Sequence, residues 1–218
     1  MPDLPIIAVA FDMDGLMFNT ENVYFQVGCR LMERRGRVFT EELSAATMGR
    51  PPQKSFETMI EWHGLDVSWQ TLHHESQETF FELLDATLAP MPGLMPLLEF
   101  LETRRIPKAI CTGSTRRVLT EVLSRFDLEP RFDFTITADE TTHGKPDPEI
   151  YASAAARFGV LPAKMLVLED SELGCRSAAA AGTFPVAVPG NHSEHMDYSW
   201  AKMVLPRLDD PRVYELFG

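Results

Sequence analysis

The sequence has little cysteine, few basic residues and no long apolar run. Its three cysteines, Cys29, Cys111 and Cys175, are far apart and form no CxxC pair. Such spacing predicts free, mostly buried thiols in a reducing cytoplasm. The 20 lysines and arginines are outnumbered by 32 aspartates and glutamates, which gives a formal net charge of −12. This acidic excess argues against binding to a nucleic-acid backbone, because that binding requires clustered basic residues.

The apolar segments are too short to cross a membrane, since none approaches the roughly 18 residues that a span requires. The first apolar run, 6–11, follows no basic segment and ends at Asp12, so it predicts a buried strand and not a signal peptide. With 44% apolar and 24% charged residues, the 218-residue chain has the composition of a soluble globular protein with one to two domains. We expect it to act in the cytoplasm as a monomer.

Two different patterns follow the first predicted strand. Residues 20–88 have only helical patterns, whereas beyond residue 91 strands alternate with helices. The predicted strands are 6–11, 108–111, 133–136, 165–168 and 184–188, and the predicted helices are 20–35, 40–48, Pro51 or Pro52 to 63, 68–88, 94–104, 115–126, 148–158 and 172–181. This alternation predicts an α/β fold, a doubly wound parallel sheet. We therefore predict a core of residues 1–18 and 91–218, interrupted by an all-helical cap domain at 19–90.

Polar residues suited to phosphate chemistry follow four of the predicted strands. They are Asp12 and Asp14, then Thr112, Gly113 and Ser114, then Lys145, and finally Glu169 and Asp170. Ligands of parallel sheets bind at the carboxyl ends of the strands, so these residues are expected at one edge. Clustered carboxylates repel one another unless a cation neutralises them, and an all-oxygen set prefers Mg²⁺. A lysine and a helix N-terminus suit phosphoryl oxygens, so the sequence predicts a Mg²⁺-dependent site that handles a phosphate.

The same motifs occur together, in this order, in a known superfamily. Residues 11–21, 111–114, 144–148 and 168–170 resemble the haloacid dehalogenase superfamily, and above all its β-phosphoglucomutase-like phosphatase branch. The resemblance covers residues 6 to 190. It implies a Rossmann-like core with a helical cap after the first motif. It also implies hydrolysis of phosphomonoesters through an aspartyl-phosphate.

The resemblance implies a role for each matching residue. Asp12 is expected to be the nucleophile, and Asp14 the general acid and base. Mg²⁺ is expected on the Asp12 carboxylate, the Asp14 backbone carbonyl and Asp170. Three further positions, Thr112, the Gly113 N–H and Lys145, are expected to bind the transferring phosphoryl oxygens. Glu169 is expected to support these groups without binding the metal directly, because neighbours on a strand point in opposite directions.

The resemblance leaves two reactions open, hydrolysis and a β-phosphoglucomutase-type transfer within a sugar phosphate. The cap histidine of the mutases aligns with Tyr24, and the cap-loop arginine, Arg50, is displaced from the mutase pattern. Both departures favour a phosphatase of small phosphomonoesters, with sugar phosphates the expected class. Substrate recognition is expected from Tyr24, Gly49 and Arg50. A third alternative, a non-catalytic metabolite-binding module, is disfavoured because every residue expected for catalysis is present. The expected partner is a small phosphorylated metabolite, with no nucleic acid and no membrane.

Overall fold

A parallel β-sheet lies at the centre of the fold. The computed structural model describes residues 5–47, 50 and 52–218. Within these residues the strands are β1 (Ala8–Phe11), β2 (Lys108–Cys111), β3 (Phe134–Ile136), β4 (Met165–Glu169), β5 (Phe184–Ala187) and β6 (Met203–Val204). Their order across the sheet is β3-β2-β1-β4-β5-β6, and every neighbouring pair is parallel. The predicted α/β fold with a doubly wound parallel sheet is confirmed.

The helices divide into two groups along the chain. Four helices follow β1 directly, α1 (Thr20–Glu33), α2 (Glu41–Thr47), α3 (Pro52–His63) and α4 (Trp69–Thr87). The others alternate with the remaining strands and are α5 (Leu94–Thr103), α6 (Arg116–Ser124), α7 (Glu149–Phe158), α8 (Glu172–Ala180) and α9 (Pro211–Glu215). By its internal contacts the chain divides into one unit of Met1–Asn19 with Ala89–Gly218 and another of Thr20–Leu88. None of the described helices is long and apolar enough to cross a membrane.

The central strand β1 determines where a ligand can bind. Its residues Ala8–Phe11 are completely buried, as expected for an apolar strand covered on both faces. It pairs with β2 on one side and with β4 on the other. The chain connections therefore run in opposite directions on the two sides of β1, and the loops that follow β1 and β4 separate at their carboxyl ends. Such a switch point is the usual ligand site of an open parallel sheet.

Most predicted elements match the structure to within one or two residues, with three corrections. The first strand begins at Ala8 and not at residue 6, since its pairing with β4 starts at the Ala8–Met165 pair. Strand β6 was not predicted, because a two-residue edge strand is too short to show alternation. Helix α9 was not predicted either; it has five residues and follows the Asp210 N-cap.

The segments that leave and re-enter the sheet unit are paired with each other. Met91 donates its backbone N–H to the Met17 carbonyl at 2.8 Å, and Phe18 and Pro90 form an antiparallel bridge. The Asn19 N–H donates to the Ala89 carbonyl at 3.1 Å, and the Asn19 side-chain oxygen accepts the Ala89 N–H at 2.6 Å. The helical insertion is thus joined to the sheet unit through a short two-stranded ribbon.

Within the helical unit, a mostly buried ion pair between Arg35 and Glu75 joins the residues that follow α1 to α4. Arg35 donates from both terminal nitrogens to Glu75, at 2.7 and 3.0 Å, and one of them also reaches the Leu31 carbonyl at 3.0 Å. The hydrogen bond from Arg35 is the main cause that lowers the pKa of Glu75. Both side chains are mostly covered, so screening by water is reduced. This pair therefore links the two long helices of the unit.

We expect Arg35→Met to lower the free energy of unfolding by about 1 kcal/mol at pH 7. Because the pKa of Glu75 is lowered in the folded state, the pair stabilises the protein above the ordinary glutamate pKa. That stabilisation is lost as the pH falls through the lowered pKa, so the variant and the wild type should converge in acid. Urea unfolding at several pH values measures this. Arg30→Met is the control, because Arg30 meets Glu33 at 3.5 Å with both side chains exposed, and an equal effect there would contradict the interpretation.

Candidate active site

Two aspartates follow β1 directly and lie at the switch point. The Asp12 N–H donates to the Leu168 carbonyl at 3.0 Å, which extends the pairing with β4 by one residue, and the Asp12 side chain is buried. The chain then turns at Gly15, whose φ of 77° lies in the left-handed region that favours glycine. This turn brings Asp14 back toward the residues that follow β2.

The carboxylate of Asp14 is oriented by two hydroxyl groups. Thr112 donates to its Oδ2 at 2.9 Å and Ser114 donates to the same oxygen at 2.8 Å. The other oxygen, Oδ1, is buried and has no hydrogen-bond partner among the described residues. A buried oxygen with no partner is costly, so it marks a position where a ligand or a proton is expected. The contact of Ser114 with Asp14 was not predicted from the sequence, although Ser114 lies only two residues after Thr112.

The residues after β2 also present Gly113 at the surface. The Thr112 hydroxyl accepts the Ser114 N–H at 2.9 Å, which fixes this turn, and Thr112 itself is fully buried. Gly113 is exposed, and a Cβ at this position would have no neighbour within 4 Å. Helix α6 begins three residues later, with Thr115 as its N-cap. The structure therefore brings Thr112 and Gly113 to the same edge as the two aspartates, with the Thr112 hydroxyl turned to Asp14.

Lys145 lies between two buried carboxylates. Its ammonium group contacts Asp12 closely, donates to Glu169 Oε1 at 2.5 Å and reaches the Cys111 carbonyl at 3.3 Å. It also lies 5.2 Å from the centre of the Tyr151 ring, within the range of a cation–π contact. Burial alone lowers the pKa of Lys145, but the charges of Asp12 and Glu169 together outweigh burial and raise it. The side chain is therefore a fixed positive charge beside Asp12.

Glu169, the last residue of β4, is completely buried and holds this lysine in place. Its Oε1 accepts from Lys145 and from the Tyr151 hydroxyl, both at 2.5 Å, and its Oε2 accepts from the Ser171 hydroxyl at 2.9 Å. The Cβ of any larger residue at Gly174 would lie 1.9 Å from the Glu169 carboxyl carbon. A glycine at this position of α8 is thus what makes room for the carboxylate.

The residues around Glu169 were missed by the sequence analysis, although two signals were present. Tyr151 lies in the first turn of α7, which follows the loop that carries Lys145. Its side chain is completely buried, so its hydroxyl needs a hydrogen-bond partner. Ser171 is the N-cap of α8 and Gly174 is the residue that it caps, at 3.1 Å. Ser171 directly follows the acidic pair, and Gly174 comes three residues later. This spacing indicates a helix N-terminus at which there is room only for a glycine.

Carboxylates outnumber cations at this edge of the sheet. Oxygens of Asp12, Glu169 and Asp170 all lie within 4.8 Å of one another, and the three residues are buried. Burial raises the pKa of Asp12 well above its usual range, Lys145 opposes the shift, and the charges of Glu169 and Asp14 add to it. A further cation at this edge would favour the ionised form of Asp12. An all-oxygen donor set fits Mg²⁺, so the residues present suit that ion.

The predicted substrate-recognition residues belong to the helical unit. Tyr24 is 46% exposed, and its ring stacks on Phe80 with the centroids 4.7 Å apart. Arg50 is exposed. Gly49 lies outside the described residues. The structure therefore assigns Tyr24 to the packing of α1 on α4 while leaving part of its ring accessible.

Fold and site together define a class of hydrolases with an aspartate at the end of the central strand of a Rossmann-like sheet. Residues 9–188 match the family described as haloacid dehalogenase-like hydrolase, and the chain belongs to it. The chain is 37% identical over 179 residues to the phosphorylated carbohydrates phosphatase of Thermotoga maritima, covering 80% of this chain and 81% of that protein. This membership confirms the resemblance and the prediction of a phosphoric monoester hydrolase of this family.

Two further relatives illustrate the range of the family. The chain is 26% identical over 190 residues to the β-phosphoglucomutase of Bacillus subtilis strain 168, covering 83% of this chain and 82% of that protein. The crystal structure of CbbY from Rhodobacter sphaeroides in complex with phosphate superposes with a TM-score of 0.80 at 22% identity. That superposition covers 94% of this chain and 96% of CbbY, and at this identity it supports the fold alone.

We expect Gly174→Ala to lower both activity and stability, because the new Cβ would collide with the Glu169 carboxyl group. Overpacking of this kind costs about 1–3 kcal/mol, and a displaced Glu169 would release Lys145 from its position. The measurements are thermal unfolding and hydrolysis of p-nitrophenyl phosphate, with a drop in kcat of about tenfold or more expected. Ala180→Ser adds one atom to the same helix at an exposed position and should change neither. Wild-type kcat in Gly174→Ala would contradict the role given to Glu169.

Proposed function

We propose that the chain is a Mg²⁺-dependent phosphatase of small phosphomonoesters, with sugar phosphates as the substrate class and an aspartyl-phosphate as intermediate. The observation that carries this proposal is the arrangement at the switch point. There the buried Asp12 carboxylate meets the Lys145 ammonium, and Asp14 is held beside it by two hydroxyls. A nucleophile, a fixed cation and an oriented acid are the groups that phosphoryl transfer requires.

In the first half-reaction, a carboxylate oxygen of Asp12 attacks the phosphorus and forms the aspartyl-phosphate as the ester bond breaks. Protonated Asp14 gives its proton to the departing alcohol oxygen, so that an alcohol and not an alkoxide leaves. In the second half-reaction, water attacks the phosphorus, Asp14 takes the proton of the water, and Asp12 is released with inorganic phosphate. The proton taken up in the second half restores the acid used in the first.

The two hydroxyls on Asp14 give its oxygens separate tasks. Because Thr112 and Ser114 both donate to Oδ2, this oxygen is held in place, while Oδ1 has no partner among the described residues and is available for the proton. Lys145 offsets the negative charge of Asp12 and faces the developing charge on the transferring group. The Gly113 N–H, at the exposed turn before α6, is the proposed backbone donor to a phosphoryl oxygen.

The carboxylates of Asp12 and Asp170 and the backbone carbonyl of Asp14 are the proposed ligands of Mg²⁺. When bound, the ion neutralises the nucleophile and the phosphoryl oxygens, so that two anions can approach each other. The charge surplus at this edge supports the proposal, since Lys145 is the single cationic side chain that contacts Asp12 among the described residues. Glu169 already accepts three hydrogen bonds from side chains, which favours a supporting role over direct binding to the metal.

The substrate class rests on the relatives. Among the similarities described above, the one with the highest identity, 37%, is to a protein named as a phosphatase of phosphorylated carbohydrates. Tyr24, Gly49 and Arg50 are the proposed substrate contacts. We propose that the enzyme works as a monomer in the cytoplasm on a small metabolite, without nucleic acid or membrane. A mutase activity is the second candidate, favoured by the similarity to a β-phosphoglucomutase.

Two assays test the proposal. The protein should release phosphate from p-nitrophenyl phosphate after Mg²⁺ is added, and should lose this activity in EDTA and recover it when Mg²⁺ is restored. Full turnover in EDTA would overturn the metal-dependent mechanism. To separate the two candidate reactions, β-glucose 1-phosphate is supplied with a trace of the 1,6-bisphosphate. Free phosphate should appear faster than glucose 6-phosphate, and the opposite order would assign the protein to the mutases.

A further inference from the structure

Tyr198, in the loop after β5, contacts Asp170. The proposed mechanism assigns no role to this tyrosine. The Tyr198 hydroxyl forms a hydrogen bond to the backbone carbonyl of Asp170 and lies 2.9 Å from the backbone carbonyl of Ser193. A tyrosine has one hydroxyl hydrogen, so these two acceptors share it. Tyr198 thus joins the loop after β5 to the loop after β4, 28 residues earlier in the chain.

The segment that presents Tyr198 is itself fixed by internal hydrogen bonds. Ser193 is completely buried, and its hydroxyl accepts the Gly190 N–H at 3.0 Å. The Ser193 N–H donates to the Gly190 carbonyl, and the Ser193 carbonyl accepts the Met196 N–H, both at 3.0 Å. These bonds close two consecutive turns before Tyr198. The hydroxyl of Tyr198 is therefore held by an ordered loop and reaches Asp170 from a defined position.

The backbone on either side of Asp170 is fixed by separate contacts. On one side, the Glu169 carbonyl accepts the Val188 N–H at 2.7 Å. On the other, Ser171 is the N-cap of α8 and accepts the Gly174 N–H at 3.1 Å. The Asp170 peptide lies between these two anchors, and its own carbonyl is oriented by Tyr198. A held Asp170 carbonyl limits rotation about the Cα–C bond of Asp170. Together with the two anchors, it constrains the direction of the Cα–Cβ bond that carries the Asp170 carboxylate.

We propose that Tyr198 is a positioning residue for Asp170, which it orients toward the proposed Mg²⁺ site by holding the Asp170 carbonyl. The proposal rests on the proposed function, because Asp170 is there a ligand of Mg²⁺. Tyr198 touches neither the metal nor the substrate and acts through Asp170. Outer contacts of metal ligands commonly change metal affinity by about 10–100-fold when removed.

The test is the affinity for Mg²⁺ alone, measured by isothermal titration calorimetry on the full-length wild type and on Tyr198→Phe. We expect the variant to bind Mg²⁺ about tenfold more weakly. In hydrolysis of p-nitrophenyl phosphate, the Mg²⁺ concentration for half-maximal rate should rise by the same factor, while kcat at saturating Mg²⁺ stays within about twofold. Tyr214→Phe is the matched control, because the Tyr214 ring packs on Phe100 at 4.7 Å, and it should bind Mg²⁺ like the wild type.

Each outcome has a distinct meaning. Equal Mg²⁺ affinity in Tyr198→Phe and the wild type overturns the positioning role and leaves the proposed function standing. A wild type that binds no Mg²⁺ and hydrolyses the ester in EDTA overturns the proposed function itself. If Tyr198→Phe does not fold, fluorotyrosine incorporated at position 198 of the otherwise unchanged protein replaces it. Its fluorine resonance should shift during the Mg²⁺ titration, and a resonance that does not move overturns the proposal.

Discussion

Replacing Asp12 by asparagine should abolish phosphate release from p-nitrophenyl phosphate, with a loss of more than about 10⁴-fold. Asparagine has nearly the same shape, but its amide oxygen is a poor nucleophile and carries no negative charge. Neither Asp14 nor Glu169 is placed to substitute for it, because Asp14 is held by Thr112 and Ser114, and Glu169 accepts three hydrogen bonds. The measurement is continuous release of p-nitrophenol at saturating Mg²⁺.

The stability of Asp12→Asn should change little, by about 1 kcal/mol or less, since Lys145 retains its contact with Glu169. This separates a chemical defect from a folding defect, and thermal unfolding measures it. The matched control is Asp66→Asn, the same change at an exposed residue of the helical unit, which should leave both activity and stability unchanged. An Asp12→Asn protein with a tenth or more of wild-type activity would exclude Asp12 as the nucleophile.

Replacing Lys145 by methionine should damage both stability and catalysis. Lys145 is paired with Asp12 and with Glu169, which is completely buried, so its removal leaves two carboxylates without their cation. Breaking a buried ion pair from one side costs about 3–5 kcal/mol. Catalysis should fall by about 10²–10³-fold, because the charge that faces the transferring phosphoryl group is lost as well. Urea unfolding and the p-nitrophenyl phosphate assay measure the two effects.

A double variant tests the cause of the instability. In Lys145→Met with Glu169→Gln, the most buried carboxylate no longer carries a charge, so a large part of the lost stability should return. Activity should not return, because the lysine is still missing. If the double variant is as unstable as the sum of the two single changes, the damage does not come from the uncompensated charge. The cycle of wild type, two single variants and double variant gives the coupling free energy directly.

The edge at which the site forms could be predicted from the sequence because of one topological rule. Every strand of a parallel sheet presents its carboxyl end at the same edge, so residues 100 or more positions apart, such as Asp14 and Ser114, are brought together without any further information. The fold class follows from the same alternation of strands and helices, and the structure confirms it. Site residues that directly follow predicted strands are therefore accessible to this reasoning.

The supporting contacts could not be predicted in this way. Tyr151 reaches Glu169 from the face of α7, and Gly174 makes room for it from α8, and both contacts depend on how the helices pack on the sheet. Helix packing depends on side-chain shape at every contact and not on the order of the elements. Tyr198 is still harder to foresee, since it follows a loop without regular secondary structure. A pattern of apolar residues carries no information about such a loop.

The short ribbon of Met17–Asn19 and Ala89–Met91 keeps the entropic cost of inserting the helical unit into the chain small. The helical unit begins after Asn19 and ends before Ala89, and these two residues are hydrogen-bonded to each other like the two ends of a hairpin loop. The entropy of closing a loop grows only with the logarithm of its length, by about 0.6 kcal/mol for each doubling. A hairpin of this kind can therefore exchange a few residues for an entire folded module, or one module for another, while the chemistry at the end of β1 stays unchanged.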